Sequence, residues 1–234
     1  MKMAHDSFIA IKKQIILMKM SMNEVLRRIK TFLIPYLVIL CICLVIKLVY
    51  TKSEIYFAVN AHYNPFVDWI EPYVTDIGNG WTAVAIAALL MLFNYRKALI
   101  VASSYAVTSI LAQILKYLFD APRPKLYFKD QISKIHFVKA VEILSLHSFP
   151  SGHTVSAFTL AVIFTYWSKN KAWGPVFLLI AVMVGYSRMY LSEHFFEDVT
   201  AGSVIGVVPT VIWLYWLDNK RFIQRPKWQK GLLG

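Results

Sequence analysis

Residues 187–198 read SRMYLSEHFFED and set Arg188, His194 and Asp198 between two long apolar segments, residues 174–190 and 198–217. Charged groups at the rim of a hydrophobic segment are costly and mark function more often than packing. His194 and Asp198 are four residues apart, so on a helix they share a face and the carboxylate reaches the imidazole. A carboxylate on one ring nitrogen fixes the tautomer and frees the other nitrogen to act as base or nucleophile. Arg188 adds a planar fork suited to phosphate oxygens. Alone, the stretch reads equally well as a snorkelling arginine beside an interfacial histidine.

Outward from this stretch the chain is a membrane protein by composition. Of 234 residues 58% are hydrophobic, and the formal net charge is +12. The basic residues flank apolar segments, which makes a membrane surface, and not nucleic acid, their partner. The expected fold class is all-α, an integral membrane bundle of six transmembrane helices at residues 32–50, 77–95, 98–119, 150–167, 174–190 and 198–217. Residues 1–31 form a basic amphipathic segment suited to a membrane face, residues 32–217 the six-span domain and residues 218–234 a basic cytoplasmic tail. A short interfacial helix is expected at residues 65–76. Its acids Asp68, Glu71 and Asp76 are explained by a solvated face. Ser109 and Gln113 of the third span suit tight helix contacts. His136 and His147 fall in a long loop, residues 120–149, as solvated histidines or helpers of a site. Cys41 and Cys43 are two apart in an apolar segment and point away from each other, so no disulfide joins them.

Two further stretches change the reading of the first. Lys116 and Arg123-Pro124 spell K-x6-R-P, residues 150–153 spell P-S-G-H, and residues 187–198 spell S-R-x5-H-x3-D, in that order. This pattern resembles the type 2 phosphatidic acid phosphatase superfamily of membrane lipid phosphatases, over roughly residues 77–217. The chemistry of the residues agrees. A phosphate monoester carries about two negative charges near neutral pH, and Lys116, Arg123 and Arg188 supply cations. Ser151 and Gly152 open a helix whose free N–H groups favour an anion. The resemblance implies that His194 is the nucleophile, activated by Asp198, and forms a phosphohistidine. It implies that His153 protonates the leaving group and then helps activate water, and that neither metal nor other cofactor takes part.

The implied substrate is an anionic lipid phosphate or diphosphate: undecaprenyl diphosphate, phosphatidylglycerol phosphate, phosphatidic acid or a lipid A phosphate. Two other readings stay open, a phosphotransferase using a polyprenyl diphosphate donor and a non-catalytic protein that binds or transports an anionic headgroup. Orientation follows from charge. With six spans, the N-terminus, Arg96–Lys97, Lys169–Lys171 and the tail lie on one side, which the positive-inside rule makes cytoplasmic. The three motifs then face outward from the cytoplasmic membrane.

Overall fold

The structure is a computed structural model that describes residues 20–139 and 141–234. The first nineteen residues of the amphipathic segment expected over residues 1–31 therefore lie outside the described residues. The described part is helical: α1 Met22–Arg28, α2 Lys30–Val49, α3 Lys52–Asn60, α4 Pro65–Asp76, α5 Gly80–Phe93, α6 Tyr95–Phe119, a short α7 Pro124–Tyr127, α8 Gly152–Trp167, α9 Trp173–Tyr190 and α10 Phe196–Asp218.

Local chemistry sets the boundaries. The Asn94 side chain accepts the Lys97 N–H at 3.0 Å to open α6, and Asn79 does the same for α5 through Trp81 at 3.0 Å. Asn64 caps α4, whose first residue is Pro65, where the missing N–H costs nothing. Ser151 caps α8 through its hydroxyl. Helix α3 was not expected. Its signal is the reciprocal cap in which Thr51 and Glu54 exchange hydrogen bonds, three residues apart in the pattern T-x-x-E.

Helix α8 is the centre of the bundle, buried without a break from Thr154 to Ile163. It packs most extensively on α9 and α10, and also on α6 and α5. Helix α2 lies outermost and leaves Leu37, Val38, Ile42, Val45 and Leu48 exposed, an aliphatic stripe that only lipid covers favourably. On its inner side Phe32 and Tyr36 pack on Phe158 of α8. Cys41 and Cys43 are both free thiols.

The helices fall at the six expected places, but their lengths do not give six spans. Helices α2, α6, α9 and α10 are long and apolar enough to cross a membrane. Helices α4 and α5 satisfy the same requirement only as a pair bent by 49°. Among the described residues the count is four, or five with the bent pair. The 14 residues of α5 and 16 of α8 reach only about 21 and 24 Å, short of a hydrocarbon core of about 30 Å. The difference from the expectation is one of length, because apolar runs in the sequence extended into turns that the backbone does not continue as helix.

The end of the bundle away from the sequence motifs is tied together by polar groups. Arg96 of α6 donates to Asp218 of α10 at 2.7 Å, and the Tyr166 hydroxyl of α8 donates to the other oxygen of that carboxylate at 2.5 Å. Helix α1 does not stand apart here: Val25, and Ile29 just after it, are fully buried in the main core. The basic tail also packs. Ile223 is buried, and the N–H groups of Leu232 and Leu233 donate to Met91 and Leu92 of α5.

Close approach of α10 to α8 depends on Gly206. A Cβ there would lie 2.7 Å from both the Phe158 Cβ and the Val155 carbonyl oxygen. Gly206→Val should therefore cost about 1–3 kcal/mol through overpacking, read as a lower thermal unfolding midpoint in detergent. Gly234→Ala, where a Cβ meets nothing within 4 Å, should leave the midpoint unchanged.

Candidate active site

Four helix ends meet at the other end of the bundle. The C-termini of α6 and α9 bring Lys116 and Arg188, and the N-termini of α8 and α10 bring Gly152–His153 and Asp198. Between them lies a cavity of about 450 Å³. Of the residues expected from the sequence, Lys116, Arg123, Gly152, His153, Arg188 and His194 line it. Asp198 sits behind His194, buried. Ser151 does not line the cavity; its hydroxyl accepts from the Thr154 N–H and hydroxyl as a cap.

Lys116 and Arg123 are held by backbone oxygens and Arg188 by a hydroxyl. Lys116 donates to the His147 carbonyl at 2.6 Å. Arg123, at the start of α7, donates through Nε to the Leu146 carbonyl at 2.9 Å, which pins the long loop over the cavity. Arg188 donates through Nη1 to the Thr75 hydroxyl of α4 at 2.7 Å, while its Nε is buried without a partner.

His194 lies on the turn from α9 to α10, so its backbone is not helical. Its N–H and that of Glu193 both donate to the Arg188 carbonyl at 3.1 Å. The preceding Ser192 takes φ 58°, a left-handed conformation that reverses the chain. Its buried hydroxyl accepts from Tyr56 at 2.9 Å and Asn60 at 3.2 Å, both on α3. The His194 Nδ1 faces the Asp198 Oδ2 at 3.5 Å, leaving Nε2 on the cavity side. That carboxylate oxygen already accepts from the Ser148 hydroxyl at 2.5 Å and the Phe195 N–H at 2.8 Å. The Asp198 carboxylate is thereby fixed by the long loop and by the turn before α10 ahead of its contact with the imidazole.

Several polar residues take places the sequence did not assign. Glu193 is 3% exposed and pairs with both Arg123 and Arg188. Ser109 and Gln113 line the cavity instead of a helix contact, whereas their neighbour Thr108 makes one, accepting from Thr159 at 3.1 Å. His136 is no solvated loop residue. Its Nε2 meets Asp68 at 2.9 Å, Tyr63 stacks on the ring at 3.9 Å, and Tyr190 also donates to Asp68. The His147 ring pairs with Asp120 at 3.2 Å. Asp68, Glu71 and Asp76 do not converge: among the described residues no three His, Cys, Asp or Glu side chains stand close enough to share an ion.

The geometry can be placed among known proteins. A profile of the PAP2 superfamily matches residues 97–222, more than half of the chain and all three motifs. The chain belongs to the PAP2 superfamily. An undecaprenyl-diphosphatase of Sulfolobus acidocaldarius is 26% identical over 182 residues, 73% of this chain and 83% of that one. Phosphatidylglycerophosphatase B of Bacillus subtilis is 27% identical over 159 residues, 59% of this chain and 72% of that one. The crystal structure of Aquifex aeolicus LpxE superposes with a TM-score of 0.61 at 26% identity, covering 69% of this chain and 93% of that one. Like these PAP2 relatives, the chain is a membrane phosphatase that acts on lipid phosphates.

Electrostatics define the state of the turn histidine. Burial, and then the charges of Arg123, Arg188 and Lys116, hold the His194 imidazole well below its ordinary value of 6.5. A depressed value keeps the ring neutral as pH falls through the usual histidine range. In a ¹⁵N-histidine spectrum of the full chain in detergent, the His194 resonance, assigned by its loss in His194→Gln, should keep its neutral signature below pH 6.5. Titration at or above that value would contradict the electrostatics of the cavity.

Proposed function

We propose that this phosphatase hydrolyses the phosphate or diphosphate of a membrane lipid in two in-line steps, through a phosphohistidine on His194. The observation that supports it best is the pairing of His194, backed by Asp198, with His153 in one cavity that also receives Lys116, Arg123 and Arg188. In the first step His194 Nε2 attacks phosphorus, the bond from phosphorus to the lipid oxygen breaks, and His153 gives its proton to that oxygen. Asp198 stabilises the imidazolium as it forms. In the second step water attacks the phosphohistidine, His153 takes the water proton, and orthophosphate leaves. The three cations and the N–H groups opening α8 stabilise the charge that gathers on the equatorial oxygens. Metal is not required in this scheme, because fixed cations do the neutralising.

The relatives act on undecaprenyl diphosphate and phosphatidylglycerophosphate by name. Either headgroup, like phosphatidic acid or a lipid A phosphate, fits a cavity with three cations at the end of a lipid-exposed bundle. Helix α8, short because protein surrounds it, serves as the sixth span beside the bent α4–α5 pair. The end carrying Arg27, Arg28, Arg96, Lys97, Lys171 and the tail is the cytoplasmic one. The Lys171 ammonium donates to the Arg28 carbonyl and the Tyr95 N–H to the Lys230 carbonyl, which gathers these basic segments on one side. The site then opens to the outer face of the cytoplasmic membrane.

Two experiments test the proposal. Phosphoryl trapped on the wild type from a radiolabelled lipid phosphate should be lost in acid and survive alkali. His194→Ala should abolish both adduct and turnover, and Asp198→Asn should lower turnover by about 10⁴-fold, as loss of a triad carboxylate does elsewhere. Phosphate should appear without any added lipid acceptor. An adduct on His194→Ala, or ester-like stability, removes the assignment; a requirement for an acceptor lipid makes the protein a phosphotransferase. For orientation, a membrane-impermeant thiol reagent on intact cells should label a cysteine at Lys129 and spare one at Lys169, in a background with Cys41 and Cys43 replaced. The reverse pattern would invert the site.

A further inference from the structure

Glu193 stands beside the proposed nucleophile and inside the proposed phosphate site. Its Oε2 is shared by Arg123 Nη1 and, at 3.4 Å, Arg188 Nη2. Its carbonyl also accepts from Arg123 Nη1 at 3.3 Å. The side chain is 4% exposed, so water hardly competes for it. These are the same guanidinium N–H groups a tetrahedral phosphate would take. The Arg188 Nε, buried on the same fork and without an acceptor, is a donor that Glu193 does not use. A planar carboxylate satisfies part of this donor set; an anion with more oxygens satisfies all of it.

Charge points the same way. Three cations gathered in one buried cavity repel each other, and the Arg123 guanidinium is pushed below its ordinary value by burial, with Glu193 foremost in opposing the shift. A carboxylate held in their midst stabilises the site before a phosphate arrives. Once a phosphate enters with about two negative charges, Glu193 becomes a like charge at contact distance and must give up the arginines.

We propose that Glu193 is an internal stand-in for the phosphate: it occupies the forks of Arg123 and Arg188 in the empty site, yields them to a lipid phosphate, and retakes them as orthophosphate leaves. The inference rests on the phosphatase reading above and adds a source of selectivity to it. Every anion must displace Glu193. A lipid phosphate brings the binding of its chain to that exchange, and free orthophosphate or another small anion brings only its charge. Glu193 thus disfavours soluble phosphates and the reaction's own product.

The test uses Glu193→Gln, which keeps the shape and one acceptor oxygen but removes the charge, in the full chain purified in detergent. Orthophosphate binding by calorimetry and orthovanadate inhibition should both tighten by about tenfold or more, the scale of a lost competing charged hydrogen bond. With a short-chain lipid phosphate, KM should fall, and kcat should fall with it as product leaves more slowly. Glu193→Asp, which keeps the charge but withdraws it by one methylene, should move the same constants in the same direction by a smaller step. Unchanged or weaker orthophosphate binding in either variant, with the unfolding midpoint retained, would show that Glu193 only positions the arginines and would overturn the proposal. Calorimetry needs no turnover, so the two readings fail separately. A wild type that binds orthophosphate but releases none from lipid removes the phosphatase reading, while tighter binding in Glu193→Gln still supports the exchange.

Discussion

The turn between α9 and α10 hangs on Arg188. Its carbonyl accepts the N–H groups of both Glu193 and His194, and its guanidinium reaches the Thr75 hydroxyl of α4 and the Glu193 carboxylate. One residue at the end of a lipid-exposed helix therefore fixes the backbone of His194, fastens a neighbouring helix and contributes charge to the cavity. The arrangement is costly, because a guanidinium 7% exposed has lost most of its water. It persists because most donors and acceptors around it are paired, with its own Nε left over. Substitution at Arg188 would therefore release the turn as well as a charge, which is why a loss of function there would not by itself assign a catalytic role.

What the sequence made legible depends on how far apart the partners lie in the chain. His194 and Asp198 are four residues apart and do meet, but through the turn ahead of α10 and not along one helix face, so the short spacing was legible and the helical reason for it was not. The three motifs could be brought to one face because apolar segments of alternating direction carry them there. Glu193 was in plain view beside His194, yet its partner Arg123 is 70 residues away, and only folding shows that two arginine forks close on one carboxylate. Ser148 is 50 residues from the Asp198 it supports, and His136 is 68 from Asp68. Ser151 fits the same account in reverse: a Ser before a Gly and a His suggests a phosphate contact, but a helix start needs a cap first. The span count is a different matter. Hydropathy measures how apolar a run is, whereas the length of a span is set by continuous helix, and α5 and α8 are shorter than the runs that hold them.

The two ends of the bundle solve opposite problems with similar parts. At the far end, the Asp218 carboxylate is buried and paired through one oxygen with Arg96 and through the other with Tyr166, so its charge is spent on holding α6, α8 and α10 together. At the site end, Asp198 is equally buried but keeps one approach for His194, and the cations keep approaches into the cavity. A polar cluster whose groups are all paired serves structure, and one whose groups face an open volume is available for chemistry. That contrast separates the ends without reference to any relative.

The bend between α4 and α5 belongs to this division. Straight helix through residues 77–79 would give a longer apolar element, but Thr75, Asp76 and Gly80, on either side of the break, all line the cavity. A Cβ on Gly80 would stand 2.2 Å from the Tyr105 hydroxyl, so the start of α5 presses directly on α6 at the cavity wall. Irregular backbone at membrane depth leaves N–H and C=O groups without helical partners, and it is tolerated where protein or a polar cavity satisfies them. Here Asn79 caps the new helix, and the Thr82 hydroxyl donates to the Asp76 carbonyl at 2.7 Å. From Lys116 the cavity wall runs along α6 through Gln113 and Ser109 to Tyr105, about 16 Å by helical rise. A broken helix beside this polar face leaves a lined volume below the level of the cations. A straight α4–α5 element would have filled that volume with its own side chains.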